Sequence, residues 1–363
     1  VAHQLGYADN LIRTLSFIVR TLITVLCLMR GWGLMAIAVA NFAANGVLLL
    51  LLYLRARRVI VGFQIAPRYF SWDVVRSMVG VSGWFTLGAA AGFVIRNLDS
   101  VLTARLVSLE VVTHLVITSK LYILGYLILW QFITLARPIL GELIGREQHS
   151  EAFETYSGLF NLSVGSAILM AMVFAGVNGH FIALWVGTEY YGGVAMEIAL
   201  GLNLCITIGS LLHRTTLEAL FLARSQAINQ VLEAVLNVSL ALLLARWFGV
   251  VGVLLSTAIA ATLSSVFYLP YLIYRQFNQP YPYFFTSSLL RLIAFFVTLL
   301  PLSLLADALL DQMNSWITLF GVTLTVGALG LLLLWSIVLN NKLRSQARLQ
   351  LQMAYRRISQ ANP

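Results

Sequence analysis

Charged side chains are scarce in this chain of 363 residues: Asp, Glu, Lys and Arg make up 10% of it, whereas hydrophobic residues make up 60%. A soluble domain carries about 25% charged residues. So few charges cannot cover a water-exposed surface, which argues against a soluble globular protein. The sequences GxSxG and HExxH, the P-loop and a strand-linked GxGxxG are also absent, so we predict that the protein is not an enzyme.

Cysteine is nearly absent as well. The two cysteines, Cys27 and Cys205, have neither a CxxC spacing nor metal-ligating neighbours. We interpret both as small packing residues, and we expect no metal and no cofactor.

Long apolar runs are what the chain has in abundance. A helix needs roughly 20 mostly apolar residues to cross the hydrocarbon core of a bilayer. The runs are continuous and do not alternate with period two, so they predict helices rather than a barrel. We therefore expect an all-α, polytopic transmembrane bundle of about ten spans, near residues 11–30, 33–54, 78–97, 111–135, 158–185, 192–212, 229–247, 250–273, 286–306 and 315–339.

The basic residues alternate by side along the chain. Most of them fall in one set of connections, whereas the stretches 187–193 and 307–314 contain no Lys or Arg. By the positive-inside rule, the multi-pass chain has both termini in the cytoplasm, and we expect it in a bacterial inner membrane. The net charge of +9 is explained by juxtamembrane contacts with membrane lipids, so no nucleic-acid partner is expected.

Two stretches look like copies of each other at an offset of 219 residues. One starts at Asn10 and the other at Asn229, and Gly33 aligns with Gly252. Each copy is a span, a short turn with glycine, a span rich in small residues and a basic exit. The pattern predicts a parallel repeat, which is one way in which transporters are built.

Several short patterns carry a resemblance to a known family. They are Asp99 followed by the run Val101–Val107, the helix entry Ser119–Leu121, the helix exit Ala136–Pro138 and the turn Ala183–Gly193. On these the chain resembles the multidrug/oligosaccharidyl-lipid/polysaccharide (MOP) exporter superfamily, and within it the polysaccharide-export branch with the Wzx-type flippases.

The resemblance implies two lobes of six helices with an extra helix pair. The implied parts are the last helix pair of a first lobe (1–58), a basic cytoplasmic linker (59–77), a six-helix second lobe (78–276), the extra pair (285–340) and a basic cytoplasmic tail (341–363). About four helices of the first lobe have no counterpart, as estimated from span length, so we expect an N-terminally truncated chain.

Ionisable residues at membrane depth cost about 2.5–3.5 kcal/mol each on insertion scales, so each needs a reason. Arg20, Arg96 and Lys120 are the candidate cavity cations for the pyrophosphate of a lipid-linked glycan. Arg96 could instead form an ion pair with Asp99, and Lys120 could snorkel to the interface. Glu233 could be stabilised by a helix dipole, and Arg214 could form an i,i+4 pair with Glu218.

The predicted function is that of a flippase that translocates a lipid-linked oligosaccharide by alternating access during polysaccharide biosynthesis and export. Its partners are that substrate and membrane lipids, with an unknown coupling ion. The alternatives are a drug or cation exporter of the same superfamily, a membrane-embedded glycan polymerase or ligase, and a non-functional fragment. The short outside connections argue against the polymerase or ligase.

Overall fold

The computed structural model describes residues 6–59, 70–312 and 315–339, and the regular elements in these ranges are helices. The chain divides into two compact units, Val1–Arg76 and Ser77–Pro363. Residues 60–69 of the predicted linker and residues 341–363, the predicted tail, lie outside the described residues. The finer division into lobes and an extra pair stays a prediction.

The first unit contains two antiparallel helices, α1 (Gly6–Met29) and α2 (Met35–Val59). Three alanines spaced four apart on α2, Ala36, Ala40 and Ala44, are buried. Small residues at this spacing let two helix backbones approach closely in a membrane. The Ser16 hydroxyl of α1 donates to the Ala44 carbonyl at 2.8 Å, which fixes the two helices side by side.

The second unit is a bundle built around one long central helix. The helices are listed in chain order: α3 (Trp72–Leu106), α4 (Leu109–Thr118), α5 (Lys120–Gly145), α6 (His149–Trp185), α7 (Val194–Ala219), α8 (Ala223–Ala261), α9 (Tyr268–Gln276), α10 (Pro282–Phe284), α11 (Leu290–Gln312) and α12 (Trp316–Leu333). The central helix α6 packs against α5, α7, α11 and α12. At about 1.5 Å per residue its 37 residues are longer than the membrane is thick. The helix begins at His149, well before the predicted span 158–185, and its first turns therefore extend beyond that span.

Eight helical stretches among the described residues are long and apolar enough to cross a membrane. One of them, Ala223–Gln276, contains two of the predicted spans. The predicted span 78–97 lies within α3, which is not among the eight. The prediction of an all-helical polytopic membrane bundle is confirmed.

The predicted single span 111–135 is wrong, because the helix breaks at Ser119 between α4 and α5. The Thr118 carbonyl accepts a hydrogen bond from the Asn178 side chain at 2.9 Å, and the Ser119 hydroxyl donates back to the Val116 carbonyl at 3.1 Å. Side chains of this kind compete with the helix for backbone partners. Lys120 is therefore the first residue of α5 and does not stand ten residues into a span.

The predicted spans 229–247 and 250–273 begin on the two limbs of α8, which meet at Gly249, where the backbone is not helical. Hydrogen bonds from Asn229 to Ser265 and from Asn237 to Thr257 place the two limbs side by side, so the predicted short turn with glycine is confirmed. Gly249 has φ +57°, a conformation that favours glycine. A Cβ at Gly252 would approach the Leu244 carbonyl oxygen to 2.2 Å, so both glycines are needed for the turn.

A π-helical turn at Thr262–Val266 follows α8, and Pro270 comes four residues later. Because Pro270 has no N–H, the Val266 carbonyl loses its usual helix partner at this point.

The turn Gly187–Gly193 joins α6 to α7. We call the end of the second unit that carries it the turn end.

Candidate functional site

A cavity of about 350 Å³ lies inside the second unit, among α3, α5, α7 and α8. Small residues form part of its wall, and polar or charged side chains reach into it. The charged residues that line it are Arg96, Arg137, Arg214, Glu218 and Glu233. It is the strongest candidate for a binding site in the part of the chain that the structure describes.

Two ion pairs take up both acids of the cavity. Arg214 Nη2 lies 2.6 Å from Glu233 Oε2, and these side chains are 12% and 4% exposed. Arg137 Nη1 lies 2.9 Å from Glu218 Oε2, and these two are 52% and 20% exposed. Two predicted interactions are wrong: Arg214 pairs with Glu233 and not with Glu218, and Glu233 stands ten residues inside α8, away from its dipole end.

A set of hydroxyl and amide groups holds Glu233 in place. Ser264 donates to Glu233 Oε2 at 3.0 Å, and Ser265 donates to the same oxygen. The Asn229 amide donates to the Ser265 hydroxyl at 2.9 Å. Both serines belong to the π-helical turn, so that turn aims two adjacent hydroxyls at one carboxylate. A buried ion pair needs such additional hydrogen bonds to offset the desolvation of its charges.

Arg96 is the cation of the cavity that has no carboxylate within 4.0 Å among the described residues. The predicted pair with Asp99 is not formed: the Thr257 hydroxyl donates to Asp99 Oδ1 at 3.0 Å. Arg96 therefore leaves one positive charge uncompensated beside two neutralised pairs.

Two glycines on α3 make room for the polar side chains beside Arg96. A Cβ at Gly88 would approach Gln230 Oε1 to 2.7 Å. A Cβ at Gly92 would lie 3.0 Å from Gln230 Nε2 and 3.2 Å from Arg96 Nη1. The two glycines are four residues apart, hence on one helix face. This face of α3 is shaped to accept the ends of Gln230 and Arg96.

A chain of hydrogen bonds ties Asp99 to both limbs of the kinked helix α8. The Asn237 amide donates to Thr257 Oγ1 at 2.9 Å, and the Ser256 hydroxyl donates to Asn237 Oδ1 at 3.2 Å. Asn237 and Ser256 are fully buried. Because Thr257 also lines the cavity, Asp99 is linked to the cavity wall through one hydroxyl.

The structure brings together some of the sequence-predicted residues and leaves others apart. Arg96, Glu218 and Glu233 line one cavity, whereas Lys120 is exposed and does not line it. Arg20 belongs to the first unit, where it is exposed and its guanidinium lies 5.2 Å from the centre of the Phe17 ring. The role of each as a substrate cation stays a prediction.

Sequence reasoning missed Arg137 and Arg214 as cavity residues, because both were counted among the connections between spans. The structure places them inside α5 and α7. It also missed Gln230, for which Gly88 and Gly92 carried a signal: small residues four apart on one helix make space for a neighbour.

The fold and the cavity define the class as a multi-pass helical membrane protein with a charged cavity inside a helix bundle. A solved structure of lipid II flippase MurJ, in its inward closed conformation, is similar, with a TM-score of 0.59. The match covers 91% of this chain and 67% of that one at 16% sequence identity. No protein-family model matches the chain, and no curated protein matches it either.

At 16% identity this likeness concerns the fold, which is a MurJ-like helix bundle. The likeness shows the fold alone, so the MOP exporter superfamily and its Wzx-type branch both stay predictions.

Proposed function

We propose that the protein is a flippase that translocates a lipid-linked oligosaccharide across a bacterial inner membrane by alternating access. The cavity supplies the main support, because it is lined by an uncompensated guanidinium, that of Arg96, together with two neutralised ion pairs. A cation at membrane depth is costly unless it faces water or an anionic partner. The pyrophosphate of a lipid-linked glycan is such a partner, and a guanidinium binds it with two parallel hydrogen bonds.

The fold supports the same proposal, because the similar solved structure is named a lipid II flippase. In our proposal Lys120 and Arg20 are further cations that the pyrophosphate meets along its path. Both termini are proposed to lie in the cytoplasm, from the distribution of basic residues in the sequence.

The test is translocation of a defined probe by the protein in proteoliposomes. A fluorescent polyprenyl-pyrophosphate-linked disaccharide is quenched by a membrane-impermeant reagent only in the outer leaflet, so the rate of quenching reports flipping. We expect Arg96→Ala to lower the rate about tenfold, since hydrogen bonds to charged groups contribute about 1.5–3 kcal/mol. Arg96→Lys is expected to restore little if bidentate contact matters, and much if charge alone matters.

Arg105→Ala is the matched control, because Arg105 is on the same helix, is exposed and does not line the cavity. The double variant of Arg20→Ala and Lys120→Ala tests the two outlying cations. Unchanged flipping by Arg96→Ala at normal protein abundance would contradict the cationic site, and unchanged flipping by the double variant would remove Arg20 and Lys120 from it.

A drug or cation exporter is the second candidate, and Asp99 is the observation in its favour. Asp99 accepts a hydrogen bond from a neutral hydroxyl, whereas the other acids near the cavity are paired with arginines. The two functions are separated by the charge of the substrate. Transport of a cationic dye that is abolished by Asp99→Asn, with no flipping of the pyrophosphate probe, supports the exporter.

A further inference from the structure

A buried carboxyl without a cationic partner lies at the turn end of the second unit. Glu197 stands in the first turn of α7 and is 3% exposed. The Tyr191 hydroxyl donates to Glu197 Oε2 at 2.8 Å, and Glu197 Oε1 has no hydrogen-bond partner among the described residues. Within residues 6–59, 70–312 and 315–339, no Lys, Arg or His nitrogen lies within 4.0 Å of the Glu197 carboxyl.

Two more buried oxygens of the same cluster have no partner. The Asn178 amide nitrogen donates to the Thr118 carbonyl, but its Oδ1 is unpartnered, although Asn178 is completely buried and within interaction range of Glu197. The Tyr122 hydroxyl is unpartnered too, on a side chain that is 4% exposed and in electrostatic range of Glu197. Two orphaned oxygens, from α6 and α7, thus lie close together, and the Tyr122 hydroxyl of α5 is near them without forming a hydrogen bond.

The other titratable groups around this site do not favour an anion. Asp307 of α11 is close enough to Glu197 and Tyr191 for its negative charge to oppose a negative charge on either. The imidazole Nε2 of His180, on α6, lies 3.1 Å from Asp307 Oδ1 and thus contacts that carboxyl. Cys205, further along α7, is close enough to the Tyr122 hydroxyl for an electrostatic interaction. On the α4 side, the ring of His114 lies 6.4 Å from that of Tyr190.

The balance of energies decides the state of the carboxyl. An ionised carboxylate that is buried without a countercharge costs several kcal/mol. The N-terminus of a helix favours a negative charge by only about 0.3–1 kcal/mol, and by about 2 kcal/mol in the best geometries. A buried group in this position neutralises itself instead.

A metal ion fits the cluster less well than a proton does. Hard cations such as Ca²⁺ take about six to eight oxygen ligands, and one carboxylate with two neutral oxygens is far from that set. The cluster is also tightly packed: a Cβ at Gly192 would lie 2.4 Å from Met196 Sδ and 3.0 Å from Thr118 Oγ1.

We propose that Glu197 is a proton-binding site at the turn end: its carboxyl carries a proton at neutral pH and exchanges that proton through Tyr191. A proton on Oε1 turns an acceptor without a donor into a donor, for which the unpartnered Asn178 Oδ1 is the acceptor. Tyr191 lies in the turn outside the spans, and burial together with the nearby carboxyl raises the pKa of its hydroxyl. That hydroxyl therefore stays protonated at rest and donates to Oε2. Exchange runs by rotation of the carboxyl: its protonated oxygen then gives its hydrogen to the Tyr191 oxygen as Tyr191 passes its own hydrogen to water, and the reverse step returns a proton.

Infrared spectroscopy of the reconstituted protein tests the proposal directly, because a protonated carboxyl has its own C=O stretching band. At about pH 6, where an ordinary Glu is ionised, we expect wild type minus Glu197→Gln to show that band. The matched control is Glu189→Gln, an exposed carboxyl in the neighbouring turn, for which the difference spectrum should lack the band. A spectrum without the band in the Glu197→Gln difference overturns the proposal.

Two further measurements keep the proposal testable if the band is weak. Thermal stability of wild type should fall as the pH rises through the ionisation of Glu197, because the folded state then binds more protons than the unfolded one. In Glu197→Gln that part of the pH dependence should be lost. Stabilisation of wild type by Na⁺ or Ca²⁺ that is lost in Glu197→Gln would instead identify a metal site and overturn the proton.

The route of exchange has its own test. In deuterated buffer the carboxyl band should shift at a rate that Tyr191→Phe lowers, and an unchanged rate excludes Tyr191 as the path. None of these measurements depends on transport, so their failure is distinguishable from a failure of the proposed flippase function.

Discussion

The cavity and the turn end of the second unit bury acidic groups in opposite ways. In the cavity, Glu233 has an arginine at 2.6 Å and two serine hydroxyls, so its charge is compensated. At the turn end, Glu197 has a tyrosine hydroxyl and two orphaned neighbours and no countercharge. The comparison teaches that burial alone does not set the charge of an acid; the partner does.

The largest expected effect comes from removing each acid in turn. Glu233→Ala leaves Arg214 buried and unpaired, and breaking a buried pair in this way costs about 3–5 kcal/mol. Glu197→Ala strands no countercharge and is expected to cost about 1–3 kcal/mol through its lost hydrogen bond. Unfolding of the two variants in detergent, followed by heat or denaturant, measures the difference.

The exposed pair Arg146–Glu142, an i,i+4 pair with side chains 67% and 62% exposed, is the control for that comparison. Glu142→Ala is expected to cost less than about 1 kcal/mol. Equal losses in Glu233→Ala and Glu197→Ala would mean that Glu197 is ionised and that its cation has been missed.

The next effect concerns a third acid, Asp99, which is half-buried and accepts its hydrogen bond from a neutral donor. Thr257→Val keeps the shape of the side chain but removes the hydroxyl that donates to Asp99 and accepts from Asn237. Leaving buried polar groups unsatisfied costs about 1–3 kcal/mol each. Thr257→Ser, which keeps the hydroxyl, should recover most of the stability in the same unfolding assay.

A smaller effect is expected from filling the space on α3. Gly88→Ala puts a Cβ 2.7 Å from Gln230 Oε1, so the amide must move away from the cavity. Because that contact is the flexible end of a side chain, we expect a stability change under about 1.5 kcal/mol but a several-fold loss of flipping rate. Gly83→Ala is the control on the same helix, since a Cβ there meets nothing within 4 Å. Equal flipping rates would argue against this face of α3 as a substrate surface.

The last prediction leaves stability unchanged and tests which side of the membrane each end of the second unit faces. A cysteine at Thr188, in the turn, should react with an impermeant maleimide on intact cells, and one at Gln148, between α5 and α6, should not. Both positions are exposed, and both variants are made without Cys27 and Cys205. The reverse labelling pattern would overturn the predicted orientation and place Glu197 on the cytoplasmic side.

The sequence predicted the membrane class and most span positions because hydrophobic length is a local property that no packing partner alters. It was less successful with breaks in helices. The break at Ser119 involves Asn178, a residue 59 positions later, whereas the turn between the spans 229–247 and 250–273 was predicted and lies at Gly249. The turn was visible in the sequence as a glycine between two apolar runs. The contact between Asn178 and the Thr118 carbonyl was not, because it joins residues far apart in the chain.

Charge pairing shows most clearly the difference between what local sequence predicts and what tertiary contacts decide. Spacing along a helix suggested that Arg96 pairs with Asp99 and Arg214 with Glu218, but the observed partners are Thr257 for Asp99 and Glu233 for Arg214. Glu218 pairs instead with Arg137, from a different helix. An i,i+3 or i,i+4 pair contributes only about 0.2–0.5 kcal/mol, so a better-placed partner on a neighbouring helix prevails.

The sequence by itself therefore determined that this protein lies in a membrane and is helical, because a chain with 10% charged residues and long apolar runs has to form helices in a bilayer. What only the tertiary structure decided was the state of each intramembrane charge. That state depends on which side chains come into contact between helices that are distant in the chain. Because the medium has a low dielectric constant, the presence or absence of one such contact determines whether a group is paired, neutral or open to a ligand.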